Sequence, residues 1–348
     1  MTEPRSPTPS GTDRTPPIAE QPQPDAGRAR KIVLDCDPGH DDAVAITLAA
    51  ASPAVDLVAI TTVAGNQTVD KTTRNACVMS SLLGLTETPV VAGCAGPLVR
   101  SLRIAPEFHG QSGLDGPAPV VPVVQPSPGH AVDRIIDVLM ANPGEVTLVA
   151  TGPLTNVAMA LRKEPAIVSA AREIVIMGGA YARGNITPAA EFNVYVDPEA
   201  ARAVFEAPWR LTMLGLEVTH QATFTRAEER RLEEIGTPLS RFLVELLRYF
   251  RDAYRSAAGF EDPPVHDPCA VAYVIDPTLF EVQSARVEVE TAGVWTTGMT
   301  VTDFRPANAD AHRVGVGTAL DRSRFWDLVL TAVERAGSAP ADPMAARS

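Results

Sequence analysis

The sequence predicts an α/β protein: a single domain on a largely parallel central sheet flanked by helices, a Rossmann-like open sheet. Three observations predict it. Short apolar runs alternate with helical segments through the first two thirds of the 348 residues. Those runs are β-branched and lack polar alternation, as strands buried on both faces require. Their βαβα order makes consecutive strands run parallel. With no internal linker or repeat, the length reads as one large domain.

In chain order, Lys31-Ile32-Val33-Leu34 reads as the first strand and Asp41 to Ala51 as the helix after it. Val55 to Val63 is a second apolar run, followed by a helix from about Val69 to Leu83. Pro89-Val90-Val91-Ala92 is a short third strand. A helix from His130 to Met140 precedes strand Val146-Thr147-Leu148-Val149-Ala150, and a helix from Leu154 to Arg162 precedes strand Ile174 to Met177. A helix near Pro198 to Phe205 leads into strand Leu211 to Leu214. Phe242, Leu243, Leu246, Leu247 and Phe250 recur at helical spacing and read as a packed face. Alternation over Phe280 to Glu290 and Gly293 to Val301 predicts an edge hairpin, and a helix around Arg324 to Arg335 closes the domain.

Composition narrows the function. A formal charge of −12 argues against a nucleic-acid polyanion or an acidic membrane surface as partner. Cys36, Cys77, Cys94 and Cys269 are scattered without a C-x-x-C pair, the pattern of reduced thiols in a cytoplasmic protein. Residues 1–29 are rich in Pro, Ser, Thr and Gln and are expected to be a disordered tail, as are residues 337–348, leaving 30–336 as the folded domain. Neither a secretory signal nor a membrane-spanning segment is expected.

The chemistry-bearing stretch is Asp35-Cys36-Asp37-Pro38-Gly39-His40-Asp41-Asp42, directly after the first strand. Four carboxylates converging there would repel one another unless neutralised, and hard oxygen ligands favour Ca²⁺ or Mg²⁺ over zinc. An EF-hand reading fails, because its twelfth position is Ile46 rather than Glu. Other strands also end in polar residues or glycines: Ala64-Gly65-Asn66, Thr151-Gly152-Pro153 and Gly178-Gly179. In an open parallel sheet those ends face one crevice. Asn185, Glu191 and Asn193 share a loop, and His266-Asp267 opens an apolar helix, where Asp267 alone would read as an N-cap.

These motifs together resemble the inosine–uridine type nucleoside hydrolases: D-C-D-P-G-H-D-D-A, V-A-G-N-Q-T, T-G-P-L-T-N, M-G-G-A-Y, N-I-T-P-A-A-E-F-N and V-H-D-P, in order from about residue 31 to 330. The segment His109 to Gly116 looks closest to the branch preferring pyrimidine ribonucleosides. The resemblance implies Ca²⁺-dependent cleavage of the N-glycosidic bond of a ribonucleoside, uridine and cytidine favoured and inosine admitted, by a homotetramer. It implies Asp37, Asp42, Asp267 and the Thr151 carbonyl as metal ligands. Asp41, Asn66, Asn185, Glu191 and Asn193 would bond the sugar hydroxyls, with Met177 against the ribose and Asp35 orienting its neighbours. Asp37 would be the general base. His266, with His109, would protonate the departing base, and Tyr254 would stack on it. His40, His130, His220 and His312 carry no assigned chemistry, and His40 reads as filler at the strand–helix turn. The sequence departs from the family at Glu217, usually Asp, and at Ala258, where some pyrimidine hydrolases carry Tyr. Two alternatives compete. One is a haloacid-dehalogenase-like phosphohydrolase, which needs a later Lys and a Ser or Thr. The other is a nucleoside- or ribose-binding protein without turnover.

Overall fold

A computed structural model of the chain describes residues 28–305 and 314–338. Strand β1 (Arg30–Cys36), helix α1 (His40–Ala51), β2 (Val55–Thr62), α2 (Val69–Leu82) and β3 (Val90–Ala92) come first. Helices α3 (Pro106–His109) and α4 (Ala131–Ala141) lead to β4 (Val146–Ala150), α5 (Thr155–Lys163), α6 (Ile167–Ala170) and β5 (Glu173–Met177). Then follow α7 (Phe192–Val196), α8 (Pro198–Glu206), β6 (Leu211–Leu214), α9 (Leu216–Thr219), α10 (Arg226–Ile235), α11 (Pro238–Ala258) and α12 (Pro268–Ile275). Strands β7 (Phe280–Val289), β8 (Thr300–Asp303) and β9 (Val314–Leu320) precede the last helix, α13 (Arg322–Ser338).

The strands form one nine-stranded sheet in the order β3-β2-β1-β4-β5-β6-β9-β7-β8. From β3 to β9 every pair is parallel, and β7 runs antiparallel to both β9 and β8. Alternation along each central strand explains its unbroken apolar character. Ile32 and Leu34, Val149, and Val175 and Met177 pack with α1, α11, α12 and α13 on one face. Val33, Leu148 and Ala150, and Ile174 and Ile176 pack with α4, α5 and α8 on the other. Both faces are covered, so no strand needs a polar side.

The order also sets the position of the site. From β1 the chain builds outward through β2 and β3, then crosses back to lay β4 on the other side of β1. Connections leaving β1 and β4 therefore diverge, opening a crevice at their carboxyl ends. Asp35 pairs in register with Ala150, and the Thr151 amide donates to the Asp35 carbonyl at 2.8 Å. The residues just past these pairs, Asp37 and Thr151, therefore flank that crevice.

Two expectations about the second half of the sheet need correction. Strand β9 was not expected, and it, not a hairpin arm, joins the parallel and antiparallel parts. The second arm of the edge hairpin begins at Thr300, not Gly293. The stretch between closes on itself: the Gly298 amide donates to the Glu290 carbonyl at 2.7 Å and the Thr297 amide to Gly293 at 3.1 Å, leaving none of these for a ladder. The helical face of α11 is as expected, with Leu243, Leu246, Leu247 and Phe250 in the core. His130 caps α4, accepting from the Val132 amide at 3.2 Å. Residues 1–27 and 339–348 of the expected tails lie outside the described residues, as does His312, while Gly337 and Ser338 belong to α13.

Candidate active site

At the end of β1 the chain turns into α1 and carries its acids inward. Asp35, Asp37 and Asp42 are fully buried, and Asp41 nearly so. Asp35 accepts from Thr61 Oγ1 at 2.7 Å and Asn156 Nδ2 at 2.8 Å. Asp42 accepts from the Gly39 amide at 2.9 Å, Thr151 Oγ1 at 3.0 Å and Asn66 Nδ2 at 3.3 Å. Asp41 takes the His266 amide at 3.2 Å, which ties the first helix to the twelfth. Asp37 accepts the Asn66 amide on Oδ2 at 2.6 Å, while its buried Oδ1 has no partner. The strand-end glycines make room for that carboxylate: a Cβ on Gly65 would collide with Oδ2, and one on Gly152 would stand 2.7 Å from Oδ1.

Asp267 occupies the N-cap position of α12 but makes no capping bond, so the capping role a lone Asp there would suggest is not the one it has. One carboxylate oxygen from each of Asp41, Asp42 and Asp267 falls within 4.8 Å of the others, a group that Asp37 does not join. The acids accept only from neutral amides and hydroxyls in the bonds named above. Burial, with mutual repulsion, pushes Asp37 and Asp267 well above the usual carboxylate range and Asp41 to about 7. Burial also raises Asp42, and raises Asp35 to about 6. Such a cluster, all hard oxygen with two orphaned buried acceptors, Asp35 Oδ2 and Asp37 Oδ1, fits a divalent cation. The Thr151 carbonyl, adjoining Asp42, accepts Asn193 Nδ2 at 2.8 Å and keeps a second lone pair.

The residues expected around a sugar are brought to the same cavity. Asn193 sits in the first turn of α7, with its Nδ2 also 3.2 Å from the Met177 carbonyl. Glu191 caps that helix. Its carboxylate accepts the amides of Asn193 at 2.8 Å, Val194 at 3.1 Å and Gly179 at 2.9 Å, so it holds the loop together. Burial lifts Glu191 to about 7 despite these bonds. Asn185 is exposed at the cavity rim, with Oδ1 accepting the Phe192 amide at 2.9 Å.

Beside the acids stands an aromatic and imidazole wall. Tyr254 Oη lies 3.1 Å from His266 Nε2, and Thr219 Oγ1 lies 2.8 Å from His266 Nδ1. His109 Nδ1 accepts the His40 amide at 3.2 Å, which leaves the proton of the neutral ring on Nε2. Burial holds both His109 and His266 well below the usual histidine range, so they are neutral donors and acceptors. Among the described residues no hydrogen bond joins His109 to His266. His40 is not filler: it is fully buried, stacked at 5.2 Å on Phe250 and 5.4 Å on Tyr249, and it positions His109.

These walls enclose a cavity of about 450 Å³, enough for a small ligand. Asp41, Asn66, His109, Thr151, Met177, Asn185, Glu191, Asn193, Tyr254, His266 and Asp267 all line it. So do Phe108, Arg183, His220 and Phe260, which sequence reasoning did not single out. His220 follows the strand end after β6 and rests 5.5 Å from the rings of both Phe260 and His266, and its place after a strand end was the available signal. Among the described residues no lysine lines the cavity, so the phosphohydrolase alternative lacks the lysine it calls for.

Comparison with known proteins agrees with this geometry. The model of the inosine-uridine preferring nucleoside hydrolase family matches residues 32–327. The inosine-uridine preferring nucleoside hydrolase of Leishmania major is 48% identical over 310 residues, covering 88% of this chain and 98% of the relative. A pyrimidine-specific ribonucleoside hydrolase of Salmonella newport is 47% identical over 302 residues, covering 86% and 97%. The solved structure of a purine-preferring ribonucleoside hydrolase from Gardnerella vaginalis superposes with a TM-score of 0.84 at 32% identity, covering 88% of this chain and 99% of that one.

Proposed function

The chain belongs to the inosine-uridine preferring nucleoside hydrolase family, and from that premise we propose that it hydrolyses the N-glycosidic bond of ribonucleosides to ribose and free base in a Ca²⁺-dependent reaction. The observation that carries this reading is the convergence of buried acids beside a cavity that aromatic and imidazole side chains also line. The sugar belongs against the acids and the base against the rings.

Asp37, Asp42, Asp267 and the Thr151 carbonyl would hold the ion. When bound, it supplies a counter-charge for the acids and a Lewis acid toward a vicinal diol and a water. Asp41, Asn66, Asn185, Glu191 and Asn193 orient the sugar hydroxyls, and Met177 packs on the ring. Cleavage leaves positive charge on the sugar, which the surrounding carboxylate and amide oxygens favour. Asp37 is the general base, because Oδ1 is buried and unengaged while Oδ2 fixes its orientation. Water gives its hydroxyl to the anomeric carbon and its proton to Asp37. The bond's electron pair leaves with the base nitrogen, which is protonated by His266 or by His109, whose Nε2 carries a hydrogen. Pyrimidine ribosides are the favoured substrates, with inosine also accepted. The working form is proposed to be a cytoplasmic homotetramer, readings that rest on the family resemblance and on unpaired cysteines. Among the described residues no helix is long and apolar enough to cross a membrane.

The test is release of uracil, cytosine, hypoxanthine and adenine from their ribosides, before and after chelation and Ca²⁺ restoration. Base release that chelation removes and Ca²⁺ restores supports the reading. Calorimetric binding of a riboside with no base released by the Ca²⁺-loaded protein would overturn it in favour of a binding protein.

A further inference from the structure

Arg183 is the one Lys or Arg among the described residues lining the cavity. Its main chain is pinned on both sides. The Glu217 carboxylate accepts the amides of Tyr181 at 3.1 Å and Ala182 at 2.7 Å, and the amides of Gly184 and Asn185 donate to Pro188 and Ala190 carbonyls at 3.1 Å each. Gly184 is close-packed, since a Cβ there would collide with the Ala190 backbone. The loop thus roots an exposed arginine at a fixed backbone position on the rim, and its guanidinium, with no ion pair or hydrogen bond to it among the described residues, is free to meet a ligand. Burial lowers His220, Glu217 opposes that, and the Arg183 charge adds a smaller lowering of its own. Glu217 lies on α9 beside Thr219, whose hydroxyl bonds His266, and just before His220, whose ring meets Phe260 and His266. The loop carrying Arg183 is therefore tied to the helix behind the aromatic and imidazole wall.

Taking the hydrolase reading above as its basis, we propose that Arg183 is a specificity-determining residue that selects leaving bases bearing a carbonyl oxygen on their outer edge, the keto bases uracil and hypoxanthine, over the amino bases cytosine and adenine. When the glycosidic bond breaks, its electron pair stays on the base nitrogen and spreads through the ring onto the carbonyl oxygens. A guanidinium carries only N–H donors. It meets a carbonyl with a charge-assisted hydrogen bond that strengthens as the oxygen gains charge. An exocyclic amino group offers it a second donor and leaves it unmatched. Selection therefore acts on the transition state as well as on binding.

Steady-state kcat/KM for uridine, cytidine, inosine and adenosine, measured on wild type, Arg183→Met and Arg183→Lys with Ca²⁺ present, tests this, with competitive inhibition by free ribose as a control for the sugar end. Wild type is expected to favour the keto member of each pair. Arg183→Met should lower keto kcat/KM about tenfold while leaving the amino substrates within about twofold and ribose inhibition unchanged, and Arg183→Lys should recover part of the loss. Keto-to-amino ratios that Arg183→Met leaves unchanged, or a loss matched by ribose inhibition, would overturn the assignment. Wild type releasing none of the four bases would instead overturn the hydrolase reading itself.

Discussion

Asp37 presents two unlike oxygens to its surroundings, one bound to the Asn66 amide and one buried without a partner. Removing it deletes a charge that the neighbouring acids oppose, so Asp37→Ala should keep the fold while abolishing turnover. Circular dichroism and a single-turnover nucleoside assay check both halves, and unchanged rates would sink the base assignment. Glu191 gives a second test, through pH. Its folded value lies near 7 against an ordinary 4.5 because it is buried. The folded protein keeps this proton while the unfolded chain loses it, so the group's contribution is fully present below about pH 4.5 and disappears as pH rises to about 7. That is about 3 kcal/mol of stability lost over the interval. Melting of the metal-free protein should show this loss on top of those of Asp35 and Asp41, which burial also raises, and Glu191→Gln should remove the Glu191 share of the slope. Most single residues of the site were legible because they sit in contiguous motifs at strand ends. His40 and His220 were not, since what makes them matter is contact with His109 and His266, groups far away in the chain.

The parallel strands were legible as elements because each is apolar on both faces, and their βα alternation leaves few arrangements. Strand β9 hid because Val314-Gly-Val-Gly-Thr-Ala-Leu320 spends two positions on glycine, erasing the alternation that marks a strand. Space forces the choice: a Cβ on Gly317 would lie 2.7 Å from Leu214 Cδ2 and 3.1 Å from Val218 Cγ1, so β9 nests against β6 and α9 only without side chains there. Between helix and sheet, Asn156 on α5 is the tie that matters for the site. Its Nδ2 donates to Asp35 Oδ1 at 2.8 Å and the Thr62 carbonyl at 3.0 Å, and its Oδ1 accepts the Cys94 amide at 2.8 Å. Asn156→Ala should destabilise the protein by about 3 kcal/mol, because three hydrogen bonds, two buried and one part-buried, are lost at once. Urea denaturation measures this, and a change below about 1 kcal/mol would show that water replaces the amide.

For the whole molecule, a chain of formal charge −12 buries five aspartates and Glu191 around one crevice. Their cost in the metal-free state predicts a strong cation dependence of stability. Ca²⁺ at about a hundred times its dissociation constant should raise the unfolding free energy by about 2.7 kcal/mol. The gain should shrink as pH falls, because burial holds the carboxyls of Asp37 and Asp267 well above the usual range and the ion must displace their protons. Thermal melts with and without Ca²⁺ at pH 8 and pH 5 check this, and an equal shift at both would separate ion binding from these acids. The bond from the His266 amide to Asp41 spans 225 positions. During synthesis, therefore, the earliest acids leave the ribosome long before the segment that completes their pocket exists. On the proposed reading, ion capture is then a late event, a seal on finished folding rather than a seed for it.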